Sequence, residues 1–264
     1  MSSARSKEFF FTIPGGTIHA KQWVPENLRY KVPVVLLHDS LGSIDLWRDF
    51  PEKLAGRLSR TVFAYDRLGF GKSSARDARP SKAFVWEEAD IYFPSIKEAL
   101  SLDRYVLFGH SVGGAMSIAI AASRADCSAV ITEAAQAFVE EVTVSGIQNA
   151  KKVFRDPDQI KRIEKWHGSK AQWVLRAWID VWLSPEFASW SLEKRIGRVR
   201  CPLLAIHGDK DEFGSLAFPE FISERAGGES EMVILENCGH VPHRERPQEV
   251  MDHAASFLDR HGID

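Results

Sequence analysis

The run Gly109-His110-Ser111-Val112-Gly113-Gly114 has the form G-x-S-x-G, directly after the apolar stretch 105–108 and directly before an Ala-rich helical stretch. A strand that turns this sharply into a helix strains the central residue, and flanking glycines leave room for strand and helix to approach. Ser111 would then project its hydroxyl above a sheet as a nucleophile. A serine hydroxyl is a weak nucleophile near neutral pH, so this chemistry calls for an adjacent base and an acid that orients the base. Both kinds of residue follow apolar runs further along the chain. His207-Gly208-Asp209-Lys210-Asp211 comes after 203–206, and Asn237-Cys238-Gly239-His240-Val241-Pro242-His243 comes after 232–235. The candidates are the carboxylates at 209 and 211 and the histidines at 240 and 243, with Glu133, just past the run 129–131, as a further acid.

The elements that must position these residues are legible from periodicity. Two β-like runs, 8–13 and 17–24, are joined by Pro14-Gly15-Gly16, which predicts an antiparallel hairpin. Short apolar runs then recur at 32–37, 62–65, 105–108, 129–131, 203–206 and 232–235, as expected for strands buried on both faces of a parallel sheet. Helix-period segments at 45–58, 84–100, 112–124, 216–226 and 247–260 alternate with them. This βα repetition predicts an α/β fold with a mostly parallel, doubly wound sheet. The rhythm breaks once, between residues 131 and 203, where the pattern is wholly helical. Residues 134–197 are expected to form a helical lid inserted into a core made of 1–133 and 198–264. The lid would lie over the C-terminal edge of the sheet, where open α/β sheets hold ligands.

Further motifs sharpen the reading. Asp66-Arg67-Leu68-Gly69-Phe70-Gly71-Lys72-Ser73 resembles the D-x-x-G-x-G-x-S turn of the α/β-hydrolases. His207-Gly208 with Asp211 resembles that family's acid loop, and Gly239-His240 with Pro242, Glu245 and Pro247 its histidine loop. With the elbow these make four motifs in the family's order, and nearly the whole chain resembles a lidded α/β-hydrolase. The resemblance implies Ser111 as nucleophile, His240 as general base and then acid, and Asp211 as the orienting acid; Asp209, Glu133 and His243 remain rivals. The backbone N–H of Val112 follows the nucleophile and is the expected oxyanion donor. His38-Asp39-Ser40-Leu41-Gly42 resembles the family's H-G-x-x-G loop, which implies the N–H of Ser40 as the second donor. Asp39 stands where the family has glycine, and Asp tolerates left-handed backbone better than most residues.

Single residues separate the relatives. Dehalogenases and epoxide hydrolases of the family would require Asp at the elbow, where Ser111 stands. Carbon-carbon hydrolases of ring-fission products often carry Trp shortly after the histidine, where this chain has Val241 and Pro242. The opening of the expected lid, Ala134-Ala135-Gln136-Ala137-Phe138-Val139, and the later Gly146-Ile147 are similar to the valacyclovir-hydrolase (biphenyl-hydrolase-like) subgroup. That subgroup places an acidic residue after the nucleophile; Val112 here argues against amino-acid esters. Of eight tryptophans, Trp166, Trp173, Trp178, Trp182 and Trp190 fall in the lid, so an apolar pocket is expected there, with Phe138, Trp166, Trp178 and Trp182 as candidate lining residues.

Composition bounds the alternatives. The chain has 264 residues, 44% of them hydrophobic, with 34 Lys plus Arg against 36 Asp plus Glu. It can bury a real core and is neither disordered nor collagen-like. A net charge of −2 without long runs of like charge gives no reason to expect nucleic acid or an anionic membrane as partner. Three cysteines without CxxC spacing suggest neither a disulfide framework nor a zinc site, and the N-terminus lacks a signal-peptide core, so a cytoplasmic location is expected. The expected function is a serine hydrolase of a small, largely apolar carboxylic ester or lactone, working through an acyl-enzyme with no metal or organic cofactor. A carbon-carbon hydrolase, a peracid-forming relative and a low-turnover ligand receptor on the same fold are the alternatives.

Overall fold

The structure, a computed structural model, describes residues 4–264, so the first three residues of the expected core lie outside it. All eight expected strands are present: β1 (Ala4–Ile13), β2 (Gly16–Pro25), β3 (Val34–Leu37), β4 (Val62–Tyr65), β5 (Tyr105–His110), β6 (Cys127–Glu133), β7 (Leu203–Gly208) and β8 (Ser230–Leu235). They form one sheet in the order β1-β2-β4-β3-β5-β6-β7-β8. The β1–β2 hairpin is antiparallel and joins β4 antiparallel, and the other pairings are parallel.

The apolar runs are continuous because alternate side chains feed two different cores. Val35, Leu37, Tyr105 and Leu107 pack on one face, under α2 (Phe84–Glu87), α3 (Phe93–Ala99), α4 (Val112–Ala121) and α9 (Ala217–Arg225). Val34, Leu36, Val106 and Phe108 face the other way, under α1 (Phe50–Leu58) and α11 (Pro247–Arg260). The remaining helices are α5 (Glu141–Val153), α6 (Pro157–His167), α7 (Ala171–Trp182), α8 (Glu193–Ile196) and α10 (Pro242–Glu245). Helices α5 to α8 lie between β6 and β7, the stretch in which the sequence shows only helical periodicity. The two ends of that stretch meet at a bridge between Phe138 and Ser191, where Leu192 N–H donates to the Ala137 carbonyl at 2.8 Å.

Three expectations change. The segment 45–58 is not one helix but a 3₁₀ turn, Ile44–Trp47, broken from α1 by Arg48 at φ 54°. The segment 84–100 is not one helix: α2 and α3 are separated by a π-helical turn, Glu88–Tyr92. Pro94 has no N–H to donate, and its ring would crowd the carbonyl four residues earlier, so the wider turn relieves the conflict. β8 is half-exposed rather than buried on both faces, with Met232 43% exposed, because it is the last strand and has one neighbour.

The topology makes the site. From β3 the chain steps outward to β4, and β5 then returns on the opposite side of β3. The loops leaving β3 and β5 diverge at this switch point, which opens a crevice at the carboxyl ends of the strands. Asp66, at the end of β4, holds the crevice wall. Its carboxylate accepts from Ile44 N–H at 2.7 Å, Lys72 N–H at 2.8 Å and His19 Nδ1 at 2.7 Å, while its carbonyl accepts from Ser73 Oγ. Replacing Asp66 by Ala strands several buried donors, each costing about 1–3 kcal/mol. Asp66→Ala is therefore expected to lose at least ~3 kcal/mol in urea unfolding, with Asp66→Glu losing less.

Candidate active site

Ser111 joins β5 to α4 with φ 57° and ψ −126°, a conformation few non-glycine residues adopt. Crossing distances hold it there. A Cβ on Gly109 would lie 2.3 Å from the Gly113 carbonyl oxygen, and one on Gly113 would lie 2.2 Å from the Leu37 carbonyl oxygen, so neither position admits a side chain. Ser111 N–H donates to the Glu133 carbonyl of β6 at 2.9 Å, which pins the turn from the other side.

Three side chains from three loops meet at this turn. His240 Nε2 lies 3.0 Å from Ser111 Oγ, and His240 Nδ1 lies 2.8 Å from each oxygen of Asp211. The Asp211 side chain has no exposed surface and also accepts the Phe213 N–H at 2.7 Å. Burial pushes its pKa up, but the hydrogen bond and charge of His240, then His207 and the Phe213 N–H, outweigh this and leave it below 3.8. His207 reaches Asp211 at 3.3 Å; burial lowers its pKa, and its Nε2 bonds to the Gly214 carbonyl.

The rival groups are occupied elsewhere. The Asp209 carboxylate faces Lys210 Nζ at 3.0 Å and the Cys238 N–H. Glu133 and His243 are buried against one another, Nδ1 to Oε1, with the His243 N–H also on Glu133 at 3.1 Å. Neither arrangement brings Asp209, Glu133 or His243 to Ser111 Oγ.

Gln136, which sequence reasoning did not single out, does reach it. Its Nε2 is 3.0 Å from Ser111 Oγ, and the side chain is buried just beyond β6. A glutamine in an Ala-rich string carries no motif; its only signal is its place immediately after a strand end.

The N–H of Val112 is the first of α4 and so one of the donors a helix leaves unpaired, at the positive end of its dipole. Ser40 and Val112 line one narrow recess, which shares Ser40, Trp178 and Trp182 with the cavity over Ser111. The loop carrying Ser40 is well fastened. His38 Nε2 accepts the Arg67 N–H at 3.0 Å, Arg67 Nη2 donates to the Asp39 carbonyl at 2.7 Å, and the Asp39 carboxylate accepts the Leu41 N–H at 2.7 Å. Burial, helped by the Arg67 charge, pushes His38 down to about 3, so it remains a neutral acceptor.

A cavity of about 250 Å³ opens over Ser111 and His240, with Ile147, Phe154, Trp178, Trp182 and Phe213 among its walls. Trp178 and Trp182, one helical turn apart on α7, are among the residues lining this cavity. Phe138 and Trp166 do not. Phe138 packs edge-on to Phe218 at 4.9 Å, fastening the root of the helical segment to α9. Trp166 lies half-buried on α6 under Lys165, because α6 turns Ile163 and His167 inward instead. His167, which shows no sequence signal, accepts the Gly71 N–H at 2.9 Å and bonds to the Leu41 carbonyl at 3.0 Å.

A doubly wound sheet that presents this array at its switch point defines the α/β-hydrolase fold. The chain belongs to the alpha/beta hydrolase family, whose model matches residues 34–253. It is 23% identical over 270 residues to a proline iminopeptidase of Lactobacillus crispatus (strain ST1), covering 88% of this chain and 91% of that protein. Among solved structures it is similar to a bacterial membrane phospholipase A (TM-score 0.79, 22% identity, 98% of this chain and 87% of the other). It is also similar to the enol-lactonase of Burkholderia xenovorans LB400 (TM-score 0.74, 19% identity, 95% and 100%). Among the described residues, no helix is long and apolar enough to cross a membrane.

The depressed pKa of Asp211 fixes the sign of one pH effect. A carboxyl group whose pKa is lower folded than unfolded stabilises the fold above its unfolded value, and that contribution is lost as pH falls through the folded value. Urea midpoints measured below pH 3.8 should therefore fall more steeply with acidification in the wild type than in Asp211→Asn.

Proposed function

We propose that the protein is a serine hydrolase that cleaves a small, largely apolar carboxylic ester or lactone through an acyl-enzyme. The observation that carries this reading is the unbroken hydrogen-bonded chain Asp211–His240–Ser111, opening into a cavity with apolar walls. Ser111 Oγ attacks the substrate carbonyl and passes its proton to His240 Nε2, while Asp211 holds the Nδ1 proton and stabilises the imidazolium. The carbonyl oxygen, now charged, accepts the N–H groups of Val112 and Ser40; each such donor contributes about 3–4 kcal/mol to the transition state. His240 then protonates the departing alkoxide. Water repeats the sequence on the acyl-enzyme, and none of these steps calls for a metal or an organic cofactor. Gln136 Nε2 holds the resting hydroxyl in place, and residues 134–197 act as the lid over it.

Similarity to an iminopeptidase favours amide cleavage at a free amine as a second reading. Among the residues lining the cavity the carboxylate is Asp39, and it is already engaged by His110 and the Leu41 N–H, which supports the uncharged ester. A panel of prolyl anilides against short aryl and alkyl esters separates the two readings, with turnover expected on the esters.

A fluorophosphonate should label Ser111 and no other residue, as read by peptide mass spectrometry; ester turnover unchanged in Ser111→Ala would sink the assignment. Asp211→Asn should lower kcat by roughly 10³–10⁴-fold through loss of the correct His240 tautomer. Asp209→Asn should stay within about threefold of wild type, and the reverse ranking would hand the acid role to Asp209.

A further inference from the structure

We propose that His110 and Asp39 form an imidazolium–carboxylate pair that positions three loops of the site, those of Ser111, His240 and Ser40, relative to one another. The inference rests on the hydrolase reading for its effect on rate, and on geometry with an ionised Asp39 for its charge state. His110 Nε2 lies 2.8 Å from the carbonyl oxygen of His240, an atom that can only accept, so Nε2 carries a proton. His110 Nδ1 lies 3.2 Å from Asp39 Oδ2. Burial pushes the Asp39 pKa up, but the hydrogen bond and charge of His110 outweigh this and lower it, so Asp39 is an ionised carboxylate that can only accept. A ring placed between two acceptors is satisfied only when both nitrogens are protonated. His110 is buried and belongs to the elbow, next to Ser111.

The pair touches three of the loops the reaction uses: the elbow, the His240 loop and the turn that carries Ser40. Through its backbone His110 is continuous with Ser111, and through Nε2 it holds the loop that carries His240. Asp39 closes the turn that carries Ser40, because its other carboxylate oxygen takes the Leu41 N–H at 2.7 Å. The glycine that the family motif has at position 39 would have no side chain to make this link. Asp39 is thus a positioning residue for the oxyanion turn, and His110 for the base.

The surroundings keep the pair charged. Glu133 of β6 adds attraction to His110, although its carboxylate is already bound by His243. His243 is lowered by burial and so adds little opposing charge, while His240, with its ring centroid 5.1 Å from that of His110, is the working base. On the Asp39 side, Arg244 and Arg67 are the neighbouring cations and His38 is uncharged. Burial alone would lower His110; the hydrogen bond to Asp39 and the charges of Glu133 and Asp39 reverse this and raise it to about 9. The pair is therefore intact at neutral pH and is lost as pH rises through about 9.

The test has two arms. In nitrogen-15 histidine-labelled protein at pH 7.5, His110 should show two ring N–H groups with imidazolium nitrogen shifts; a neutral tautomer there overturns the proposal. This arm needs no turnover, so it stands even if fluorophosphonate fails to label Ser111 and the hydrolase reading falls. In the kinetic arm, Asp39→Asn should lower kcat roughly 10- to 100-fold, the scale for loops displaced by about an ångström, with KM within about threefold. Its kcat/KM should also lose activity at a lower pH than the wild-type alkaline limb near 9, and Asp39→Glu should restore part of both. An Asp39→Asn protein that matches wild type in kcat and alkaline limb overturns the positioning role.

Discussion

The backbone of Ser111 is forced through a left-handed turn by the closeness of β5, β3 and α4. Conformations of this kind cost on the order of 1–3 kcal/mol and persist only where the surroundings over-determine them. Here the determinants are steric. Gly113 passes too near the Leu37 carbonyl for any side chain, and the Ser111 N–H is taken by β6. The strained turn places Val112, the first residue of α4, in the lining of the same recess as Ser40. The position of Ser111 and the start of α4 thus follow from one crossing of chain segments.

Around that fixed point, the histidines divide the work by protonation state. His38 is neutral and accepts from the Arg67 backbone; His207 and His243 are pushed toward neutrality by burial. His110 is held the other way by the carboxylates of Asp39 and Glu133. His240 stands between Asp211 and Ser111, within hydrogen-bond distance of both. The polar groups beneath the elbow are paired with one another, and His240 is the imidazole that reaches Ser111 Oγ.

The helical stretch between β6 and β7 supplies the apolar walls. α7 contributes Trp178 and Trp182, and Trp182 is itself wedged against Phe187 and Trp190 at ring-centroid separations of 5.0 and 5.7 Å. These edge-to-face contacts hold Trp182 in the cavity wall, while His167 on α6 fastens the segment to the turns at Gly71 and Leu41. Aromatic mass is thus shared between anchoring the segment and lining the cavity, and only part of it meets the substrate space.

What the sequence determined is local. Unbroken apolar runs separated by helix-period stretches specify a parallel sheet covered on both sides, because each strand must satisfy two cores. The elbow was legible because glycine is needed wherever two backbones touch. Which carboxylate meets which histidine was decided only in the tertiary structure: Asp209 and Asp211 are two residues apart in one loop, and the fold alone turns one to Lys210 and the other to His240. The same holds for Gln136 at Ser111, for His167 in place of Trp166 on the inner face of α6, and for the meeting of Asp39 with His110. Side chains from distant loops find partners through the three-dimensional course of those loops, and a one-dimensional spacing carries no record of that course.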